Sequence, residues 1–208
     1  MDLNKYLIDD DWKNVIKLNK RLNKFHYGIP LDSIIENPHD KKYGEPGQFF
    51  FDNYRSLSPE LFEKYKGGVC WDYVPYEARF FKEHFKYSFK TYFIQFDNKL
   101  DRPTHTFLIF YKNNKCYYFE SSFKPIAGIY EADSDKEIIN FVMKMMNDHP
   151  SNSLQINLLK YPVYVIEYNA DDRKMYGLNV VEYMNYLCDN YNFIRWKYKN
   201  PQYIKKVE

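Results

Sequence analysis

Gly67-Gly68-Val69-Cys70-Trp71-Asp72 is the stretch around which the rest of the chain is organised. Cys70 stands where a helical apolar pattern begins, with Val74, Ala78, Phe81 and Phe85 at spacings of three and four. Unpaired backbone N–H groups and the positive end of the helix dipole favour a thiolate at such a position. The two glycines permit positive φ and leave room for a substrate beside the sulfur. The alternative is a buried cysteine that only fills space.

Pro75 limits where this helix begins, because proline lacks the N–H that a helix interior needs. One possibility is that Asp72 is the N-cap, which places Pro75 at the third helical position. The other is that the helix starts earlier and kinks at Pro75. Both place Cys70 at or just before the helix start.

The composition indicates a folded protein without a strong overall charge. The chain has 208 residues, of which 45% are hydrophobic and 20% aromatic, which is far too apolar for a disordered segment. Its 30 basic and 28 acidic residues give a net charge of +2, so no electrostatic field favours nucleic acid or a membrane surface. We therefore expect neither partner. Nucleic-acid binding by the aromatic and basic tail, residues 191–208, is a further alternative.

The cysteines and the first residues bear on the cellular compartment. The chain has three cysteines, Cys70, Cys116 and Cys188. Because their number is odd and their spacing shows no pairs, the sequence predicts no disulfide framework. The first residues lack the apolar region of a secretory leader, and no run of 18 apolar residues occurs. These features predict a cytoplasmic protein.

The order of helical and strand patterns predicts an α+β protein. Helices are expected over 10–24, 58–65, 135–148 and 179–190, strands over 89–96, 104–111, 115–121 and 161–168, and loops over 37–48 and 123–130. Pro162 favours an edge position for the last strand. We expect a single domain over 1–208, with an N-terminal helical and loop region (1–66), a catalytic core (67–125) and a helix-strand-helix completion with a tail (126–208).

A hairpin between the second and third strands brings two chemically useful residues together. Asn113-Asn114 is a two-residue hairpin signal, because asparagine tolerates the positive φ of a type I′ turn. If these two residues form the loop, His105 and Glu120 share one face of the sheet as diagonal neighbours. A loop longer or shorter by one residue would place them on opposite faces.

Cys70, His105 and Glu120 together have the composition of a nucleophilic triad. Cys70 would attack a carbonyl carbon, His105 would hold and return the proton, and Glu120 would orient the imidazole. No cofactor is predicted. Zinc binding by Cys70, His105, Cys116 and Glu120 is an alternative, but no CxxC or HxxxH spacing supports it, so no metal is predicted either.

Three short stretches carry a resemblance to a known family. Gly68–Asp72, Pro103–Phe107 and Tyr118–Glu120 resemble the core of the transglutaminase-like superfamily, whose broader relatives are the papain-like cysteine peptidases. The likeness covers about residues 65–125 and depends mainly on the order of the elements. It implies an α+β fold in which the Cys-bearing helix packs on an antiparallel β-sheet, with additional flanking helices.

The chain departs from the family pattern at two positions. Glu120 stands where an aspartate is commoner, and Lys64 stands where papain-like peptidases have an oxyanion-binding glutamine. The oxyanion donors are therefore expected to be the Cys70 backbone N–H and an upstream group from Tyr65, Asn53 or Gln48. Trp71 either packs in the core or lines the acyl site.

The resemblance and the triad together predict a cysteine-dependent hydrolase. It would be a peptidase or amidase that acts on a protein or peptide substrate through a thioester acyl-enzyme. A transglutaminase-type acyltransferase is one alternative, since the superfamily core supports both reactions. A binding or scaffold module with the same fold and no turnover is the other.

Overall fold

A seven-stranded antiparallel sheet lies at the centre of the protein. The computed structural model describes residues 3–32, 34–38, 47–97, 103–148 and 157–208, with side chains from residue 11 onwards. The strands of the sheet are, in spatial order, β10 (Ile194–Trp196), β9 (Val163–Tyr168), β5 (Phe89–Phe96), β6 (Thr104–Lys112), β7 (Lys115–Glu120), β8 (Gly128–Ala132) and β11 (Ile204–Lys206). Four short strands lie outside it, β1 (His26–Tyr27), β2 (Ile29–Leu31), β3 (Ile34–Glu36) and β4 (Gly67–Gly68).

The described part of the chain contains six α-helices, so the predicted α+β class is confirmed. They are α1 (Leu3–Leu22), α2 (Gln48–Asn53), α3 (Pro59–Tyr65), α4 (Cys70–His84), α5 (Asp135–Asp148) and α6 (Val180–Asn190). None of these described helices combines the length and the apolar character needed to cross a bilayer.

The two faces of the sheet are covered by different helices. Alternating residues of the central strands, including Leu108 and Phe110, pack with α1, α3, α4 and α6 in one apolar cluster. Their neighbours Phe107 and Ile109 belong to a second cluster with α5. Burial on both faces explains why these strands are almost continuously apolar in sequence.

The hairpin between β6 and β7 has the predicted register. Asn113 and Asn114 both adopt positive φ, 51° and 59°, as a type I′ turn requires. Lys112 pairs with Lys115. The register runs without a bulge to Leu108 and Phe119, so His105 and Glu120 come to the same end of the sheet.

Two predictions about the second half of the chain are wrong, those for loop 123–130 and for the position of the last strand. The expected loop 123–130 ends early, because Gly128 begins strand β8, which pairs with β7. The tail forms both edges of the sheet through β10 and β11. Strand β9 is consequently not an edge strand despite Pro162, since β10 pairs with it on its outer side. Of the expected loop 37–48, residues 39–46 lie outside the described residues.

Candidate functional site

Cys70 is the first residue of α4, and Asp72 fixes this helix start. The helix is capped by Val69, whose backbone N–H donates to Asp72 Oδ2 at 2.8 Å. The other carboxylate oxygen, Oδ1, accepts from the Leu57 N–H at 2.8 Å and from the Tyr54 hydroxyl at 3.0 Å. Asp72 is 1% exposed, and burial raises its pKa to about 7 against the lowering effect of these donors.

The hypothesis that Asp72 is the N-cap is wrong, because it is the third residue of α4. Pro75 consequently lies inside the helix, which continues past it to His84. Since Pro75 has no N–H, the carbonyl of Trp71 has no helical donor four residues on. The expected apolar face is confirmed, with Val74, Ala78 and Phe81 buried against the sheet.

Gly67 and Gly68 are required for close packing and not for positive φ, which neither of them adopts. They form β4, which pairs in parallel with β1. A Cβ at Gly67 would lie 2.4 Å from the backbone oxygen of His26. A Cβ at Gly68 would lie 2.7 Å from Cβ of Asp72. The glycines therefore bring the chain before Cys70 against β1 and the helix cap.

His105 and Glu120 are hydrogen-bonded to each other. The imidazole Nε2 lies 2.9 Å from Glu120 Oε2. The other carboxylate oxygen, Oε1, accepts from the Ser122 N–H at 2.7 Å, the Ser122 hydroxyl at 2.8 Å and the Phe123 N–H at 2.7 Å. The Tyr118 hydroxyl also donates to Oε2. Burial would raise the pKa of Glu120, but the charge of His105 and these donors outweigh it and lower the pKa.

The thiol of Cys70 is close enough to the His105 imidazole to raise its pKa. Because Nε2 binds Glu120, proton exchange with the sulfur would have to use Nδ1. Burial would lower the pKa of His105, but the Glu120 carboxylate and the hydrogen bonds with Cys70 and Glu120 raise it well above its ordinary value. These neighbours therefore favour the charged form of the imidazole.

The side chains of Cys70 and His105 are both nearly covered. Cys70 is 5% exposed and His105 is 8% exposed. Low solvent access strengthens electrostatic interactions at such a position. It also limits the width of any group that can approach the sulfur.

Tyr27 is a site residue that the sequence did not indicate. Its hydroxyl is close enough to the thiol and the backbone N–H of Cys70 for both groups to affect its pKa. Burial and the neighbouring Cys70 and Asp72 charges raise the pKa of Tyr27 well above its ordinary value. The available signal was indirect, since Gly67-Gly68 required some segment to pack against it.

Glu77 is a second carboxylate near the triad that sequence reasoning missed. It lies two helical turns after Cys70 on α4, is 1% exposed, and accepts a hydrogen bond from the Ser121 hydroxyl. Burial raises its pKa to about 8, with a further contribution from the Glu120 charge. Lys124 is close to both carboxylates, and burial lowers its pKa to about 8.

The upstream oxyanion candidates have other contacts. Gln48 donates its amide to Asp52 at 2.8 Å, and Asn53 donates its amide to the Phe49 carbonyl at 2.9 Å. Tyr65 is half-buried at the last position of α3.

Trp71 is buried in the core beside the thiol. Its ring stacks on Tyr183 with centroids 4.5 Å apart, and it meets Tyr54 edge-on at 5.5 Å. These contacts hold the first turn of α4 against α6 and the segment after α2.

Cys116 lies elsewhere on β7. Its thiol interacts with Asp135 near the hairpin end of the sheet, and burial together with that carboxylate raises its pKa to about 12. Within the described ranges, no group of three or more His, Cys, Asp or Glu side chains is placed to hold a metal ion. The zinc alternative thus lacks Cys116, which lies near the opposite end of β7 from Glu120.

The chain matches no protein-family model, no curated protein and no solved structure. The transglutaminase-like resemblance of residues 65–125 therefore stays a prediction. The site itself combines a thiol at a helix N-terminus, an imidazole beside it and a buried carboxylate behind the imidazole. Such a set can perform nucleophilic attack on a carbonyl carbon with proton transfer through the imidazole.

Proposed function

We propose that this protein is a cysteine-dependent hydrolase of transglutaminase-like type, a peptidase or amidase with Cys70, His105 and Glu120 as its triad. The observation that supports this most is the hydrogen bond of His105 Nε2 to Glu120 at 2.9 Å, with the Cys70 thiol close enough to His105 to raise its pKa. Purely structural buried cysteines do not need an imidazole held by a buried carboxylate.

In the acylation step, Sγ of Cys70 forms a bond with the carbonyl carbon of the substrate. The carbonyl π electrons move to oxygen, and the Cys70 proton is held on His105 Nδ1. Collapse of this tetrahedral intermediate breaks the carbon–nitrogen bond while His105 gives its proton to the leaving amine. Glu120 stabilises the charged imidazolium throughout and keeps the ring in position. The product is a thioester on Cys70.

In the deacylation step, water attacks the thioester carbon and His105 takes one water proton. Collapse breaks the carbon–sulfur bond, releases a carboxylic acid and returns the proton to the thiol. An amine in place of water would give acyl transfer by the same sequence of steps. The choice between hydrolysis and transfer depends on which acceptor reaches the site.

The small exposure of Cys70 and His105 favours a slim acyl donor, such as an extended and unbranched part of a peptide or protein. The same coverage favours one competing function, a binding or scaffold module in which the thiol is never acylated. Reactivity toward a small acyl donor separates the two.

The test uses p-nitrophenyl acetate, whose acetyl group is small enough for a covered site. The exposed Cys188 is replaced by serine so that it does not react. We expect rapid release of p-nitrophenol, transient acetylation of Cys70 by mass spectrometry, and loss of both in Cys70→Ser and His105→Ala. Turnover no faster than that of Cys70→Ser would overturn the proposal in favour of the binding module.

A further inference from the structure

The position of Tyr27 is fixed by the strand pair that leads into the nucleophile. Tyr27 pairs with Gly68 in the parallel β1–β4 ladder. The Gly28 N–H donates to the Gly68 carbonyl at 2.9 Å, and the His26 N–H donates to the Lys66 carbonyl at 2.9 Å. Tyr27 therefore lies opposite Gly68, two residues before Cys70.

The β1–β4 pairing brings Tyr27 next to the segment that carries Cys70. Its hydroxyl is close enough to the Cys70 thiol and backbone N–H for both groups to affect its pKa. When Sγ bonds a carbonyl carbon, the carbonyl oxygen is one bond from that carbon and within reach of the N–H of the same cysteine. An oxyanion on the bound substrate would therefore lie close to the Tyr27 hydroxyl. The hydroxyl would donate a hydrogen bond to it.

We propose that the Tyr27 hydroxyl is the second oxyanion donor of this site, acting with the Cys70 backbone N–H. This inference rests on the proposed function, because an oxyanion forms only if Cys70 is acylated. When substrate binds, the Cys70 N–H donates to the substrate oxygen and no longer to Tyr27. The Tyr27 hydroxyl donates to the same oxygen. The donor thus comes from β1, upstream of the stretch in which the sequence pattern placed it.

Two further observations agree with a donor role. The elevated pKa of Tyr27 keeps the phenol protonated, and a hydroxyl must be protonated to donate. In addition, the amides of Gln48 and Asn53 already donate within α2.

The test compares two reactions of Cys70 in Tyr27→Phe, with Cys188→Ser as the background. Acylation by p-nitrophenyl acetate passes through an oxyanion, whereas alkylation by iodoacetamide does not. We expect acylation to fall about a hundredfold, as for loss of an oxyanion donor, and alkylation to change no more than about twofold. Phenylalanine keeps every ring atom, and an unchanged alkylation rate also reports an intact site.

Tyr111→Phe is the matched control. Tyr111 lies near the hairpin end of β6, about 20 Å along the strand from His105, and its hydroxyl donates to Asp135 at 2.7 Å. It should acylate like the unsubstituted protein. A Tyr27→Phe variant that acylates as fast as this control would overturn the inference alone. Faster acylation would show that the hydroxyl blocks the site, which also overturns it. Absence of Cys70-dependent acylation before any tyrosine is changed would overturn the proposed function and the inference together.

Discussion

His105 Nε2 lies 2.9 Å from Oε2 of Glu120, and this carboxylate is only 2% exposed. A carboxylate so placed holds the imidazole in one orientation and stabilises its charged form. Three donors from residues 122 and 123 hold the second carboxylate oxygen, so Glu120 cannot turn away from the ring without losing them. The pair is therefore a fixed electrostatic unit behind the thiol.

Glu120→Gln should remove this unit while nearly preserving its shape. The raised pKa of His105 adds to the free energy of unfolding. This contribution is complete below about pH 6.5, the pKa of histidine in the unfolded chain, and is lost as pH rises through the folded pKa. The lowered pKa of Glu120 gives stability that is complete above about pH 4.3 and is lost as pH falls through its folded pKa. We expect Glu120→Gln to cost about 2 kcal/mol or more, most strongly between about pH 4.3 and 6.5.

Urea unfolding at several pH values measures this cost, and Glu83→Gln on the exposed side of α4 is the control. The ring charge of His105 can be followed in parallel by NMR, where the substitution should lower its titration midpoint. A pH-independent difference between Glu120→Gln and the unsubstituted protein would contradict the assignment of the pair as charged.

Asp72→Ala should destabilise the start of α4. The substitution leaves two buried backbone N–H groups, those of Val69 and Leu57, without their acceptor. Each unpaired buried group costs about 1–3 kcal/mol, so we expect a total loss of about 2–4 kcal/mol in the free energy of unfolding. Asp148→Ala, at an exposed position at the end of α5, should change it by no more than about 0.5 kcal/mol. Equal effects of the two substitutions would rule out a capping role for Asp72.

Relative to the unsubstituted protein, Glu77→Gln should become more stable as pH rises. Glu77 has a raised pKa of about 8, so its contribution is most favourable below about pH 4.3 and is lost as pH rises to the folded pKa. Glutamine does not titrate. The stability of Glu77→Gln relative to the unsubstituted protein should therefore increase between about pH 4.3 and 8, by up to about 1.4 kcal/mol per pH unit, and then level off.

The same exposed Glu83→Gln serves as a control for Glu77→Gln, because both residues are on α4. Thermal or urea unfolding from pH 5 to 9 gives the comparison. A constant difference in the free energy of unfolding across that range would mean that Glu77 has an ordinary pKa. The assignment of Glu77 as a buried acid next to Glu120 would then be wrong.

Gly67→Ala should disturb both stability and the site. Its Cβ would lie 2.4 Å from the His26 backbone oxygen, so β1 must move, and Tyr27 moves with it. We expect a loss of about 1–3 kcal/mol and slower acylation of Cys70 by p-nitrophenyl acetate. Gly177→Ala tests for strain alone, because its φ is +81° and its Cβ would meet no described atom within 4 Å. An equal effect of both variants on acylation would show that the β1–β4 contact does not matter for the reaction.

The sequence was sufficient for the elements whose signals are local. The Asn113-Asn114 turn determined the register of β6 and β7, and this register alone brought His105 and Glu120 together. The spacing of Val74, Ala78 and Phe81 predicted the buried face of α4. Each of these signals lies within a few residues of the structure it determines.

The remaining features depend on contacts between distant segments. Tyr27 meets Cys70 through a strand of only two residues, which no periodicity can indicate. Strands β10 and β11 form because the exposed edges of β9 and β8 accept them, and their own sequence is too short to predict pairing. Glu77 looked like an ordinary helix position, and only the tertiary fold buries it beside Glu120.

The most direct test of the Cys70–His105 pair is the pH dependence of Cys70 alkylation by iodoacetamide in Cys188→Ser, with and without His105→Ala. Cys116 should stay unreactive, since its pKa is raised to about 12. If the imidazolium is paired with the Cys70 sulfur, Cys70 will be alkylated faster at neutral pH than a free thiol, whose pKa is about 8.5, and His105→Ala will lose this excess rate. If Cys70 reacts with the same profile in both proteins, or only above about pH 8.5, the thiolate–imidazolium pair does not exist and the proposed hydrolase is wrong.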